Sequence, residues 1–268
     1  MCSRRLPRNG FYSAPFWLPT SHAQTIVPTL FGRKPAVRYR RERGSTPDGD
    51  FIDLDYLAHE PGDEPAALFV LFHGLEGNSD SHYARTMMAA AKARGWHGVV
   101  PHFRSCSGPL NLLPRFYHLA DGAEVDWILR RLAQSHRGPI VAAGVSLGGN
   151  VLLHWLCERG TDAVYHQCGA AAAISAPLDV HAGGEAISWG CGMVYTRSFL
   201  KSLKRKALAK LGQYPGLYDR DAVLAACTLY EFDNVVTEPL HGFRDTDHYW
   251  SAATVRAHLS ASKCPRCC

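Results

Sequence analysis

Apolar positions along the chain fall into short blocks separated by turn residues. Phe51-Ile-Asp-Leu-Asp-Tyr-Leu57 alternates in polarity, which predicts a half-buried strand. Ala66-Ala-Leu-Phe-Val-Leu-Phe72 is continuously apolar over a strand's length, as expected of a strand covered on both faces in a parallel sheet. Residues 81–94 read as a helix ended by Gly95, and Gly98 to Phe103 as another short strand. A helix is expected over 118–134, with Leu119, Val125, Ile128, Leu129 and Leu132 on its apolar stripe. Pro139 to Ala143 is a strand, Val151 to Cys157 a helix, and Ala170 to Ile174 the next strand. The order β-α-β-α-β-α-β, with right-handed crossovers, gives an α/β fold with a doubly wound, mostly parallel sheet.

The flanks do not follow this rhythm. Residues 1–45 are aromatic, Pro-rich and irregular, and are expected to wrap the domain surface. Thr46-Pro-Asp-Gly-Asp50 is a turn that opens the core, 46–182. Residues 183–250 read as an inserted, mostly helical cap over the carboxyl ends of the strands. The cap contains a long basic helix, Thr196 to Leu211, bearing Lys201, Lys204, Arg205, Lys206 and Lys210. Residues 251–268 form an atypical tail, and 1–268 is read as a single domain.

A chain of 268 residues that is 46% hydrophobic and 20% charged can bury a core and does not have a disordered composition. No apolar run is long enough to span a bilayer, and no apolar h-region follows the basic start, so the expected location is cytoplasmic. The net charge of +5 is concentrated in Arg33-Lys34 and Arg38 to Arg43. No nucleic-acid motif accompanies it, so it reads as solvated surface. The cap lysines read first as a solvated helix face, with peripheral contact to an anionic membrane as the alternative. Cys2, Cys106, Cys157, Cys168, Cys191 and Cys227 are scattered like reduced thiols. Cys264, Cys267 and Cys268 crowd the end without the partners a zinc or redox site needs, so no metal is expected.

The strongest chemical signal is Gly144-Val-Ser146-Leu-Gly148-Gly-Asn150, set between a buried strand and a helix from about Leu147. In that context G-x-S-x-G is a nucleophile elbow. The turn is sharp, Gly144 and Gly148 avoid clashes, and the new helix aims free N–H groups at the place where an oxyanion would form. His73-Gly74-Leu75-Glu76-Gly77 follows the strand ending at Phe72, where this class places an HG-type loop. The expected oxyanion donors are the backbone N–H groups of Leu75 and Leu147. Gly74 gives the loop room, and His73 braces it rather than acting as a base.

With these motifs the chain resembles the YheT-like group of α/β-hydrolases. The matching residues extend to Trp17-Leu18, His22-Ala-Gln24-Thr25, His102-Phe-Arg104, Ser107-Gly108, Phe232-Asp233, His241-Gly-Phe243, Asp247 and Tyr249-Trp250. The resemblance implies a serine esterase or acylglycerol lipase acting on small-molecule or lipid esters, with Ser146 as nucleophile and no cofactor. It also implies that the catalytic acid and histidine follow the cap on two final strands. The match fades after Leu259, so a C-terminal truncation is expected, with both strands missing. Asp179, His241 and His248 are the internal candidates for replacement acid and base. Without final strands, Ala170 to Ile174 should be an exposed apolar edge that favours association. Two other readings are a non-catalytic remnant or binding module, and a dehalogenase or peroxidase on the same fold; Ser146 at the elbow counts against a dehalogenase.

Overall fold

The computed structural model describes residues 13–58, 66–159 and 168–261. The chain divides into two compact units, 1–34 and 35–268. Residues 262–268, including the terminal cysteine cluster, lie outside the described residues, as does Cys2.

In the first unit, Ser21–Phe31 forms helix α1, where the sequence read as irregular. The Thr20 side chain caps it by accepting from the N–H of Ala23. The helix tolerates Pro28 in its last turn, which is why the Pro-rich pattern concealed it.

The second unit is built on a six-stranded sheet in the order β1-β2-β4-β3-β5-β6. The strands are β1 Tyr39–Ser45, β2 Phe51–Leu57, β3 Leu68–Phe72, β4 His97–Pro101, β5 Ile140–Val145 and β6 Cys168–Ile174. β3 to β6 pair in parallel, and β1 and β2 are antiparallel additions at one edge. β1 carries no apolar pattern from which a strand is expected, because its residues YRRERGS are polar throughout. Its arginines are matched in register by acids on β2. Arg41 makes two bonds of 2.7 and 2.8 Å to Asp55, and Arg43 two of 2.8 and 2.9 Å to Asp53. The basic run is thus exposed along the sheet edge, as a solvated edge should be, and its strand arginines are also tied into a cross-strand ladder. Gly49, at φ 83°, makes the turn between the two strands.

Helices cover both faces. On one side, α3 (Gly122–Ser135) and α4 (Leu147–Arg159) pack Val125, Ile128, Leu129, Leu132, Val151 and Trp155 onto the sheet. On the other, α2 (His82–Ala93) contributes Ala84 and Met88. Helix α3 starts at Gly122, later than the expected 118. Asp121 caps it, accepting from the N–H of Glu124 at 3.2 Å, and turns the preceding residues into loop.

The region after β6 consists of short helices around one long helix. The first is α5, Val180–Ser188, followed by a 3-10 turn and the long α6, Met193–Gln213. Then come α7 Arg220–Ala225, α8 Leu229–Phe232, a π-turn at Asp233–Thr237, α9 Glu238–His241, α10 Thr246–Ala253 and α11 Arg256–Ala261. Leu200, Ala207, Val223, Phe232 and Val236 form a small core of their own here. Asn150, fully buried on α4, ties this region to the sheet by donating to the carbonyls of Pro177 (2.8 Å) and Ala253 (3.0 Å).

The residues of β6 after Cys168 are exposed. β6 stands last in the sheet order, and from Ala170 on its outer edge pairs with no described strand.

Candidate active site

β5 ends at Val145 and α4 begins at Leu147, so Ser146 alone makes the turn between them. It does so at φ 54°, a left-handed conformation that a residue with a Cβ rarely adopts. The turn is held on both sides. Ser146 N–H donates to the carbonyl of Ile174 at 2.8 Å, and its own carbonyl accepts from Asn150 N–H at 3.0 Å. Two glycines make it possible. A Cβ on Gly144 would lie 2.2 Å from the Gly148 carbonyl oxygen, and one on Gly148 would lie 2.2 Å from that of Phe72.

The loop after β3 comes up against this turn. A Cβ on Gly74 would sit 3.3 Å from that of Ser146. Gly74 N–H donates to the Tyr83 hydroxyl at 2.8 Å. His73 is fully buried: its Nδ1 bonds the Gly74 carbonyl at 2.8 Å, and its Nε2 accepts from Phe103 N–H at 3.1 Å. That pairing fixes the neutral tautomer, and burial pushes the ring's pKa down to about 3. Both nitrogens are occupied, so His73 has no lone pair free for a substrate proton.

Among the described residues, the N–H groups of Leu75 and Leu147 have no hydrogen-bond partner. Leu147 is the first residue of α4, where the helix leaves its N–H groups unpaired. Both residues line one cavity of about 80 Å³, with Phe116, Leu203, Phe232 and Tyr249 supplying apolar wall. The residues that carry the two donors thus share an apolar pocket roofed by the region after β6, and the Ser146 turn directly precedes one of them.

Several of the motif residues late in the sequence meet at this pocket. Asp233 lines the cavity and accepts from Thr237 Oγ1 (2.6 Å) and Trp250 Nε1 (2.8 Å). Burial raises its carboxyl pKa to about 6. The Tyr249 hydroxyl accepts from the N–H of Leu119 at 3.0 Å at the same wall. The His241 ring lies 4.2 Å from that of His118, and burial pushes both down to about 3. His118 carries no motif and was not singled out in the sequence, although it lines the cavity.

Of the internal substitutes for a base and acid, His241 packs on His118 with its Nε2 buried and unpartnered, and the other two are engaged in local hydrogen bonds. Asp179 caps α5, accepting from Ala182 N–H at 3.0 Å. His248 Nδ1 accepts from Arg244 N–H at 3.2 Å. Ser146 Oγ has no hydrogen-bond partner among the described residues. No group of three or more His, Cys, Asp or Glu side chains among them is arranged to hold a metal. No helix among them is long and apolar enough to cross a membrane.

The expected solvated face of the basic helix is only partly present. Lys201 and Arg205 are exposed, but Lys206 is largely covered and Lys210 is fully buried.

No family profile matches the chain. Among curated proteins it is 36% identical over 258 residues to "Putative esterase YheT" of Escherichia coli (strain K12), covering 95% of this chain and 73% of that one. It is 27% identical over 264 residues to phospholipase ABHD3 of Mus musculus, covering 96% of this chain and 64% of that one. The chain thus spans a little under two thirds of the mouse relative. Among solved structures, an esterase of Rhizomucor miehei aligns with a TM-score of 0.41 at 20% identity, covering 57% of this chain and 48% of that one.

Proposed function

The chain belongs to the YheT-like α/β-hydrolases, a family of ester hydrolases, and from that premise we propose that its site cleaves carboxylic esters through an acyl-enzyme on Ser146. The observation that carries this reading is the strained Ser146 turn, packed against the loop of Gly74 and followed by Leu147, with the N–H groups of Leu75 and Leu147 left without a partner among the described residues. Ser146 Oγ attacks the acyl carbonyl while a base takes its proton. The two N–H groups hold the resulting oxyanion, the alcohol leaves with a proton, and water then releases the acid. Gly74, Gly144 and Gly148 keep the turns open, and His73 braces the oxyanion loop. The apolar cavity fits an acyl group, so the substrate is a small-molecule or lipid ester.

The base and acid are a separate matter. Burial leaves His73, His118 and His241 too weakly basic to keep a proton taken from Ser146, and His248 is engaged with Arg244. None of these four suits the role, so the base is a group other than them. The unpartnered Ser146 hydroxyl favours a second reading, a catalytically silent member of the family that binds an acyl ligand.

Labelling with a fluorophosphonate and hydrolysis of p-nitrophenyl butyrate separate the two readings. Signals that vanish in Ser146→Ala support the acyl-enzyme. A folded wild type that neither labels nor turns over supports the silent one.

A further inference from the structure

Lys206 and Lys210 stand one turn apart on α6, an arrangement of like charges that weakens a helix on its own. Both turn inward. Lys210 is 0% exposed, and its Nζ donates to the backbone carbonyls of Asn111 (2.6 Å) and Leu113 (3.0 Å). Lys206 Nζ donates to Glu76 Oε1 at 2.7 Å, with side chains only 16% and 8% exposed. The long helix is thus pinned by two ammonium groups to two loops of the core.

Glu76 is the residue after Leu75, and it sits at φ 55°. A non-glycine residue holds that conformation only where its surroundings impose it. Here the Tyr117 hydroxyl accepts from Glu76 N–H at 2.9 Å and donates to Glu76 Oε1 at 2.8 Å, and Lys206 completes the clamp. The carboxylate that fixes the turn is therefore neutralised from the helix above it. Tyr117 and Lys206 both line the same cavity as Leu75.

We propose that Lys206 is a positioning residue, which through Glu76 fixes the turn that presents the Leu75 N–H, so that the oxyanion site is formed only while the long helix is docked. The proposal rests on the reading of Leu75 as an oxyanion donor. Lys206→Met keeps the apolar stem and removes the cation, leaving Glu76 buried with Tyr117 alone. Misplacing one oxyanion donor typically costs about 10²-fold in rate, and the loss falls on kcat because the contact forms in the transition state. Lys206→Arg keeps a cation and a donor within reach of Glu76.

The experiment compares wild type, Lys206→Met, Lys206→Arg and Glu76→Gln by fluorophosphonate labelling, p-nitrophenyl butyrate kinetics and backbone hydrogen exchange across residues 73–77. Lys206→Met should slow labelling by about 10²-fold with KM little changed. Exchange at 73–77 should rise by about tenfold or more while exchange in β5 stays at the wild-type rate. Lys206→Arg should restore both. Unchanged exchange at 73–77, or a loss confined to KM, overturns the proposal. If Lys206→Met does not fold, Glu76→Gln, which keeps a Tyr117 bond without the charge, carries the same two expectations. If wild type neither labels nor turns over, the hydrolase reading fails by itself, and the exchange measurement still decides whether Lys206 holds the loop.

Discussion

Gly144 and Gly148 meet so closely that a Cβ on the first would lie 2.2 Å from the carbonyl oxygen of the second. Backbone cannot yield there as a flexible side chain would. Gly144→Ala and Gly148→Ala should each destabilise the fold by about 3 kcal/mol, at the upper end of overpacking costs. Gly212→Ala is the control: its Cβ would meet nothing within 4 Å, and alanine is the better helix former in α6, so stability should rise by about 0.5–1 kcal/mol. Urea denaturation of the three variants checks the order. Elbow variants as stable as wild type would mean that the two turns are not packed as described.

Ser146 holds its place at the cost of backbone strain. At φ 54° its Cβ crowds the following carbonyl, which costs about 1–2 kcal/mol. Ser146→Gly should therefore melt above Ser146→Ala, although neither carries a nucleophile. Thermal unfolding of the pair makes the comparison with chemistry held equal. Equal melting temperatures would remove strain from the account of the elbow.

Legibility in the sequence followed the range of the interactions. Strands β3, β4 and β5 were readable because continuous apolar runs bounded by turns need no partner to be recognised. The elbow was readable because its glycines lie within two residues of Ser146. Strand β1 was not, since Arg41 and Arg43 find Asp55 and Asp53 only after the chain has reversed at Gly49. A search for opposite charges in antiparallel register around Thr46–Asp50 could have found it. Helix α1 was concealed by Pro28, although Thr20 offered a capping signal. The inward lysines of α6 were beyond reach: Lys206 meets Glu76 across 130 residues, and their spacing also fits a solvated face.

Asp233 should give the fold a distinctive pH dependence. Its carboxyl is raised by burial to about 6 from an ordinary 3.8. Between those values the unfolded chain has released this proton and the folded chain has kept it. The group therefore removes stability as pH rises from about 4 to about 6, and the cost is constant above that. Asp233→Asn has no such proton and can still bond Trp250 and Thr237. Its stability relative to wild type should increase across the same window and level off near neutrality. A variant whose difference from wild type is flat from pH 4 to 7 would show that Asp233 is ionised throughout.

The open edge of β6 has a consequence for association. Residues 169–174 are exposed along a strand of alanines ending in Ile174, which is 38% exposed. Ala172 and Ile174 also face a shallow apolar groove with Phe69, Met87 and Trp96. From Ala170 on, this uncharged edge pairs with no described strand and lies beside an apolar surface, which makes it a template for another strand, and a single inward-facing charge is the usual protection against it. The chain should therefore self-associate as its concentration rises, which sedimentation velocity would register as growth in mean mass. Ala172→Lys, which places an ammonium in the groove at no cost to any described hydrogen bond, should shift that onset to higher concentration and leave the melting temperature within about 2 °C, as surface changes usually do. If wild type sediments as a monomer at every concentration, or the lysine variant associates equally, then this edge does not drive association.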